Sequence, residues 1–224
     1  IFSSNSEFNL ELLREMNNDI IHRGPDDSGL LIKDKFALGF RRLSIIDPSP
    51  KSNQPFYDET NNFVIVFNGE IYNYKILKKL LENENVKFST NGDTEVFLKG
   101  YIHWGEKIFT LAEGMFSAII VDQKKEKAIA IRDPLGIKPL YYTKYRNNIA
   151  LSSEIKPLFR LVSRKVSESS IGELLTFCFN SGSDTGLHNI KKLKSGHLIR
   201  INYGSNIYIE EEYYNLAGSF VVDE

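Results

Sequence analysis

The chain has 224 residues, 42% of them hydrophobic and 12% aromatic, enough to bury the core of one large domain or two small ones. Its 28 basic residues against 29 acidic ones leave a formal net charge of -1, which excludes the excess positive field that holds a nucleic-acid backbone or an anionic membrane surface. The longest apolar runs, 63–67 and 115–121, fall far short of the roughly 20 residues of a membrane-spanning helix. With no secretory leader pattern and a single cysteine, Cys178, a reducing cytoplasm is the expected setting.

The chain opens at Ile1 without an initiator methionine, and Ile1-Phe2 has the character of a strand interior, so residues are expected upstream. The closing Phe220-Val221-Val222-Asp223-Glu224 offers no natural stop signal, as in a domain taken from something longer. No internal repeat is visible. Phe8, Leu10, Leu12, Leu13 and Met16 predict an amphipathic helix over 7–18 with Ser6 as its N-cap. Short strands are expected at 29–32, 37–43 and 62–67, bounded by the turn formers Gly24-Pro25, Asp47-Pro48 and Asn68-Gly69. Apolar spacing then predicts helices over 74–82 and 94–104. Next come two hairpins: 116–122 with 128–132 around a charged turn, and 141–143 with 148–152. Beyond Ser163 follow a helix over 169–177, a Gly- and Ser-rich loop over 181–186, and a last hairpin over 197–209. The run 174–179 around Cys178 reads as a buried helical face.

Strands grouped together, with helices grouped between them, argue for antiparallel sheets and an α+β class. Residues 1–163 read as the core of the domain, and 164–224 as a C-terminal part of the same domain, a covering layer and connector.

Six clusters carry the chemistry. They are His22-Arg23-Gly24-Pro25-Asp26-Asp27, Arg42-Leu43-Ser44-Ile45-Ile46-Asp47, Phe67-Asn68-Gly69-Glu70-Ile71-Tyr72-Asn73, Gly92-Asp93-Thr94-Glu95, the run from Arg132 to Leu140, and Ser153-Glu154-Ile155-Lys156. In this order and at these separations they resemble the class II glutamine amidotransferase domain of the glutamine-hydrolysing asparagine synthetases, over nearly the whole chain. The resemblance implies an N-terminal-nucleophile hydrolase fold, a four-layer αββα sandwich with two antiparallel sheets, in agreement with the α+β reading. It implies cleavage of the side-chain amide of glutamine, with ammonia passing through an internal tunnel to a C-terminal synthetase domain, absent from these residues, that uses ATP and Mg2+. No cofactor is implied for this domain itself. A homodimer is common among the resembled enzymes, although no residue of this chain points to one.

A glutamine site needs a cation for the α-carboxylate, an anion for the α-ammonium, and neutral donors for the oxygen that becomes negative in the tetrahedral intermediate. By the resemblance, Arg42 holds the carboxylate, with Leu43, Ser44, Ile45 and Ile46 lining the same pocket; Asp93 accepts from the ammonium. Asn68, through its side-chain amide, and Gly69, through its N–H, form the oxyanion hole, and Glu70 faces the substrate. Each has a plainer reading. Arg42 can be a solvated strand end, Asn68-Gly69 a two-residue turn, and Asp93 the N-cap of the helix that follows. Arg23 and Asp26 take a supporting role, or form a structural ion pair. Met115 and Ile137 match positions at the start of the tunnel. On a strand, Arg41 should point opposite to Arg42.

Members of this family begin with a processed Cys-Gly ahead of the residue equivalent to Ile1. The cysteine thiolate attacks the amide, and its own α-amino group serves as base. The nucleophile is therefore expected just upstream of Ile1. A glutaminase-inactive scaffold or docking domain, as in β-lactam synthetase-like relatives, is the alternative. The histidines at 22, 103, 188 and 197 lack metal-ligand spacing, and no metal is expected.

Overall fold

The computed structural model describes residues 2–3, 9–44, 46–146, 148–216 and 218. In chain order the first half runs β1 (Phe2–Ser3), α1 (Leu10–Asn18), β2 (Asp27–Lys33), β3 (Phe36–Arg42), β4 (Phe56–Tyr57), β5 (Phe63–Ile71), α2 (Tyr74–Asn83), α3 (Asp93–Trp104) and α4 (Lys107–Leu111). The second half adds β6 (Gly114–Asp122), β7 (Lys127–Arg132), β8 (Tyr141–Tyr145), β9 (Asn148–Ser152), α5 (Ile155–Leu158), α6 (Glu168–Phe177), β10 (Ile190–Lys192), β11 (His197–Asn202) and β12 (Ile207–Glu212). Every paired strand is antiparallel, in two sheets ordered β10-β8-β9-β1-β3-β2 and β12-β11-β7-β6-β5-β4.

Period-two alternation explains how the sheets stack. On β3, Phe36 and Leu38 join a core between the sheets, whereas Ala37 faces α1. On β5, Val64 and Val66 enter that same inter-sheet core, and Ile65 and Phe67 face the helices. Helices α1 and α5 cover the first sheet through Leu13, Met16 and Leu158, and α2, α3 and α4 cover the second through Leu81, Phe97 and Phe109. The result is the expected four-layer αββα sandwich. Phe97 of α3 packs at 5.1 Å from Phe116 of β6 and 5.6 Å from Phe67 of β5, which ties the start of α3 to the far end of β5.

Four expectations change. The described part of the first helix starts at Leu10, capped by Asn9, whose side chain accepts from the Leu12 N–H at 2.8 Å; Ser6 and Glu7 lie outside the described residues. Asn68-Gly69 is not a turn, because β5 continues through it to Ile71. Glycine is required there by close approach: a Cβ on Gly69 would stand 2.2 Å from the Met115 carbonyl oxygen and 2.6 Å from Phe116 Cα.

The segment 164–224 is not simply a covering layer, since β10 extends the first sheet and β11 and β12 extend the second. β11 is an interior strand with Leu198 in the helix-side core and Ile199 and Ile201 in the inter-sheet core, a both-faces burial that hides the period-two signal. Finally, the run 174–179 is not buried. Leu175 is 78% exposed, Leu174, Phe177 and Phe179 are also exposed, and Cys178 is exposed at φ 62°, ending α6. Apolar content alone does not tell a buried helix face from one that no described layer covers.

The tight β5–β6 approach gives a direct test. A Cβ on Gly114 would lie 2.1 Å from the Glu70 carbonyl oxygen. Gly114→Ala is expected to destabilise the fold by about 2 kcal/mol, lowering the thermal midpoint by roughly 4–8 °C. A calorimetric midpoint within a degree of the parent would contradict this packing.

Candidate functional site

A cavity of about 480 Å³, of the size that takes a small metabolite, opens where the ends of β3 and β5 meet the start of α3. Arg42, Asn68, Gly69 and Asp93 all line it. Alternation places them there: Arg42 shares the inter-sheet face of Phe36 and Leu38, and Asn68 that of Val64 and Val66. Arg41 points the other way, donating through Nε to the Asn17 carbonyl at 3.1 Å and through Nη2 to Asn18.

Arg42 is only 8% exposed, so its guanidinium is not a solvated strand end. Its Nη1 donates to the Ser49 carbonyl at 3.0 Å and to Asn53 Oδ1, and its Nη2 to the Asp47 carbonyl. All three acceptors are neutral, and no carboxylate among the described residues pairs with it. A guanidinium has five N–H donors in a planar fork. With three taken, Nε and one Nη2 hydrogen are left, a pair suited to a two-pronged carboxylate contact.

Asp93 is the mirror case. It is 6% exposed and opens α3, with Gly92 rather than Asp93 as the N-cap. Its Oδ2 accepts the Ile71 N–H at 3.0 Å, and no cation among the described residues pairs with it. Burial pushes its carboxyl above the ordinary value of 3.8, and the nearby Glu70 charge pushes the same way, against the backbone N–H groups of Ile71 and Thr94. Glu70 itself lines the cavity, half-buried. One cavity thus holds a buried cation and a buried anion, each without a side-chain counter-ion.

Between them lies a donor pair. Asn68 Nδ2 stands 3.5 Å from Ser153 Oγ. Phe116 exchanges its backbone bonds with Asp133, giving Asp133 N–H to the Phe116 carbonyl at 2.8 Å and Phe116 N–H to Asp133 Oδ2 at 3.3 Å. The Gly69–Phe116 pair across β5 and β6 is therefore one that exchanges no backbone hydrogen bonds. Phe67, Gly69 and Ile71 accordingly turn their amides to the opposite edge of β5. Gln54 Oε1 takes the Phe67 N–H at 2.6 Å and Asp93 takes that of Ile71, with the Gly69 N–H between them on the cavity wall.

Of the remaining expected residues, Leu43 and Ile46 line the cavity, and Leu43, 54% exposed, is not core packing. Ser44 does not line it: half-buried just past the end of β3, it donates its N–H to Asp26 Oδ2 at 2.8 Å. Ile45 lies outside the described residues. Arg23 lines the rim and pairs with Glu154 at 3.2 Å, and Asp26 holds the exit of β3, so these two do not pair with each other. Met115 and Ile137 are absent from the cavity wall; Met115 faces Glu70 across the strands, and Ile137 stands 53% exposed on a turn held by Asp133.

Sequence reasoning missed Asp47, Gln54, Lys138 and Ser153 as lining residues. Asp47 closes the Arg42 motif and was visible there. Gln54 carries no signal of its own, yet its amide also donates to the Phe67 carbonyl at 3.2 Å and to Thr94 Oγ1 at 3.4 Å, joining β5 to α3. Among the described residues no group of three or more His, Cys, Asp or Glu side chains could hold a metal ion, and no helix is long and apolar enough to cross a membrane.

The family model described as "Glutamine amidotransferase domain" matches residues 1–214. Asparagine synthetase [glutamine-hydrolyzing] 1 of Bacillus subtilis (strain 168) is 36% identical over 198 residues, covering 88% of this chain and 31% of the relative. Asparagine synthetase [glutamine-hydrolyzing] 2 of the same organism is 37% identical over 217 residues, covering 94% of this chain and 29% of the relative. The chain thus spans just under a third of the length of these curated relatives. Among solved structures, the glutamine phosphoribosylpyrophosphate amidotransferase from B. subtilis superposes with a TM-score of 0.72 at 19% identity, covering 95% of this chain and 48% of that one, a likeness of fold.

The unpaired carboxyl makes a prediction about stability. Because the folded-state pKa of Asp93 lies above 3.8, the native protein binds more protons than the unfolded chain between those values, and stability falls as pH rises through that window. Asp93→Asn keeps an acceptor for the Ile71 N–H and removes the charge. It is expected to raise the thermal midpoint near neutral pH by roughly 2–4 °C for each kcal/mol the charge costs, the gain closing as pH is lowered through the Asp93 titration. A variant less stable than the parent under both conditions would contradict the view that this charge is unpaired.

Proposed function

This chain belongs to the glutamine amidotransferase domain family, and on that premise we propose that its cavity binds glutamine and hydrolyses it to glutamate, delivering ammonia to a synthetase domain of the same protein. The observation that supports this reading is the pair of buried, opposite and unpaired charges in one small cavity, since free glutamine is a zwitterion that neutralises both at once. Arg42 offers its remaining fork to the α-carboxylate. Asp93 takes the α-ammonium. The side-chain amide of the bound molecule then lies over the wall that carries Asn68 and Gly69.

The nucleophile is a cysteine ahead of Ile1. Phe2 pairs with Leu38 of β3 and Leu151 of β9, so the strand followed back towards its start runs in the direction of Phe40, Arg41 and Ser153, all cavity-lining residues. Two residues added before Ile1 extend towards that wall. The thiolate attacks the side-chain carbonyl carbon, with the terminal α-amine taking the thiol proton. The oxygen that becomes negative is met by Asn68 Nδ2 and the Gly69 N–H. Collapse breaks the carbon–nitrogen bond and releases ammonia, its proton supplied by the terminal ammonium; water then cleaves the thioester to give glutamate. The ammonia acceptor, and the ATP and Mg2+ that activate it, belong to the synthetase domain, and the setting of the whole is cytoplasmic.

The protein carrying Cys-Gly ahead of Ile1, processed to a free cysteine amine, is expected to release glutamate from glutamine in a coupled assay. In that background Asn68→Ala should lower kcat about 10²–10³-fold with a small change in KM, and Arg42→Lys should raise KM, because a point charge does not reproduce the fork. A folded, correctly processed protein that neither releases glutamate nor reacts with a diazo-ketone glutamine analogue would sink the proposal and favour a scaffold that has lost catalysis.

A further inference from the structure

Arg42 and Asp93 sit on different layers, one at the end of a strand of the first sheet and the other at the start of a helix over the second. Binding both ends of a free amino acid requires their separation to be fixed. The segment 47–54 crosses between the two walls. Its carbonyls and Asn53 hold the guanidinium from one side, through Asp47, Ser49 and Asn53. On the other side it is anchored at two points. Gln54 reaches Thr94 Oγ1 at 3.4 Å, and Asp47 Oδ2 accepts the Asn91 N–H at 2.9 Å, while Asp47 Oδ1 takes the Ser49 N–H at 3.0 Å. The approach is close: a Cβ on Gly92 would lie 3.7 Å from Asp47 Cβ.

We infer that Asp47 is a positioning residue, whose carboxylate straps the loop gripping Arg42 to the turn presenting Asp93 and so sets the distance between the two charges. This inference rests on the glutamine reading of the site. The Asn91 N–H, seconded by Ser49, holds the Asp47 carboxyl far below the ordinary carboxylate range, so it stays ionised and the strap persists across neutral and mildly acid pH. The turn at 89–91 is firm on its own side. Glu95 accepts the Ser89 N–H at 2.9 Å and the Thr90 N–H at 2.6 Å, and Lys78 Nζ donates to the Thr90 carbonyl at 3.0 Å. Without Asp47 the Arg42 loop therefore pivots on Gln54 while Asp93 stays in place. A ligand with one charged end can follow whichever anchor it uses, whereas a zwitterion cannot follow both.

Calorimetric titration of the chain as it stands tests this, since binding needs no nucleophile. Three ligands are compared: glutamine, glutaramic acid, which lacks the α-ammonium, and 4-aminobutanamide, which lacks the α-carboxylate. Asp47→Asn is expected to weaken glutamine about tenfold or more, the cost of a lost hydrogen bond to a charged group, while each one-charged analogue changes less than about threefold. Equal weakening of all three ligands would mark a purely structural residue and overturn the inference, as would glutamine binding within about twofold of the parent. Should Asp47→Asn fail to fold by circular dichroism, Asp47→Glu, which keeps the charge and lengthens the strap by one methylene, is read in its place by the same outcomes. If the parent chain itself does not bind glutamine, the glutamine reading fails first and this inference with it.

Discussion

An ionised group taken out of water without a counter-ion is costly, by several kcal/mol even after relaxation, and the site of this protein is built around two of them. Arg42 is made tolerable by three neutral oxygens from a loop, and Asp93 by the Ile71 N–H and the start of a helix, where the aligned peptide dipoles favour negative charge. Neither arrangement neutralises the charge. Hydrogen bonds take up part of each group and leave the net charge unmet, which separates these two residues from the buried Glu95–Lys99 pair at 2.9 Å, on the same helix as Asp93. That pair is neutralised within the fold, and the other two are not.

Much of the surrounding architecture follows from presenting those charges in one place. Two sheets must stack with the ends of β3 and β5 together, and α3 must dock its first residue beside Ile71. The phenylalanines at 67, 97 and 116 pack together at that docking, and Gly69 and Gly114, lacking a Cβ, let β5 and β6 approach closely. A site assembled from strand ends and a helix start is held more rigidly than one made of loops alone. The loop that grips Arg42, 47–54, is pinned at both ends.

The architecture was legible in the sequence because short apolar runs bounded by turn formers on β3, β5, β6 and β7 and helical spacing over α2 and α3 are strong, local signals. So were Arg42, Asn68, Gly69 and Asp93, each embedded in a motif. What was not legible depends on partners distant in sequence. Asn68-Gly69 carries turn propensity, and only the closeness of β6 shows why glycine stands inside a strand. Ser44 belongs to the same motif as Arg42 but leaves the strand and faces Asp26. Gln54 looks like any surface glutamine until Phe67 and Thr94 are placed beside it. The run 174–179 reads as core by composition, and its exposure is a tertiary property that no window of sequence contains.

The central claim is that one amino acid is gripped by its two ends, and an electron-density map of this chain soaked or grown with glutamine tests it most directly. The account predicts the α-carboxylate on the Nε and Nη2 edge of Arg42, the α-ammonium on Asp93, and the side-chain oxygen directed at Asn68 Nδ2 and the Gly69 N–H. Glutamine bound with its charged ends away from both residues, or a clear map with the cavity unfilled at saturating glutamine, would contradict it.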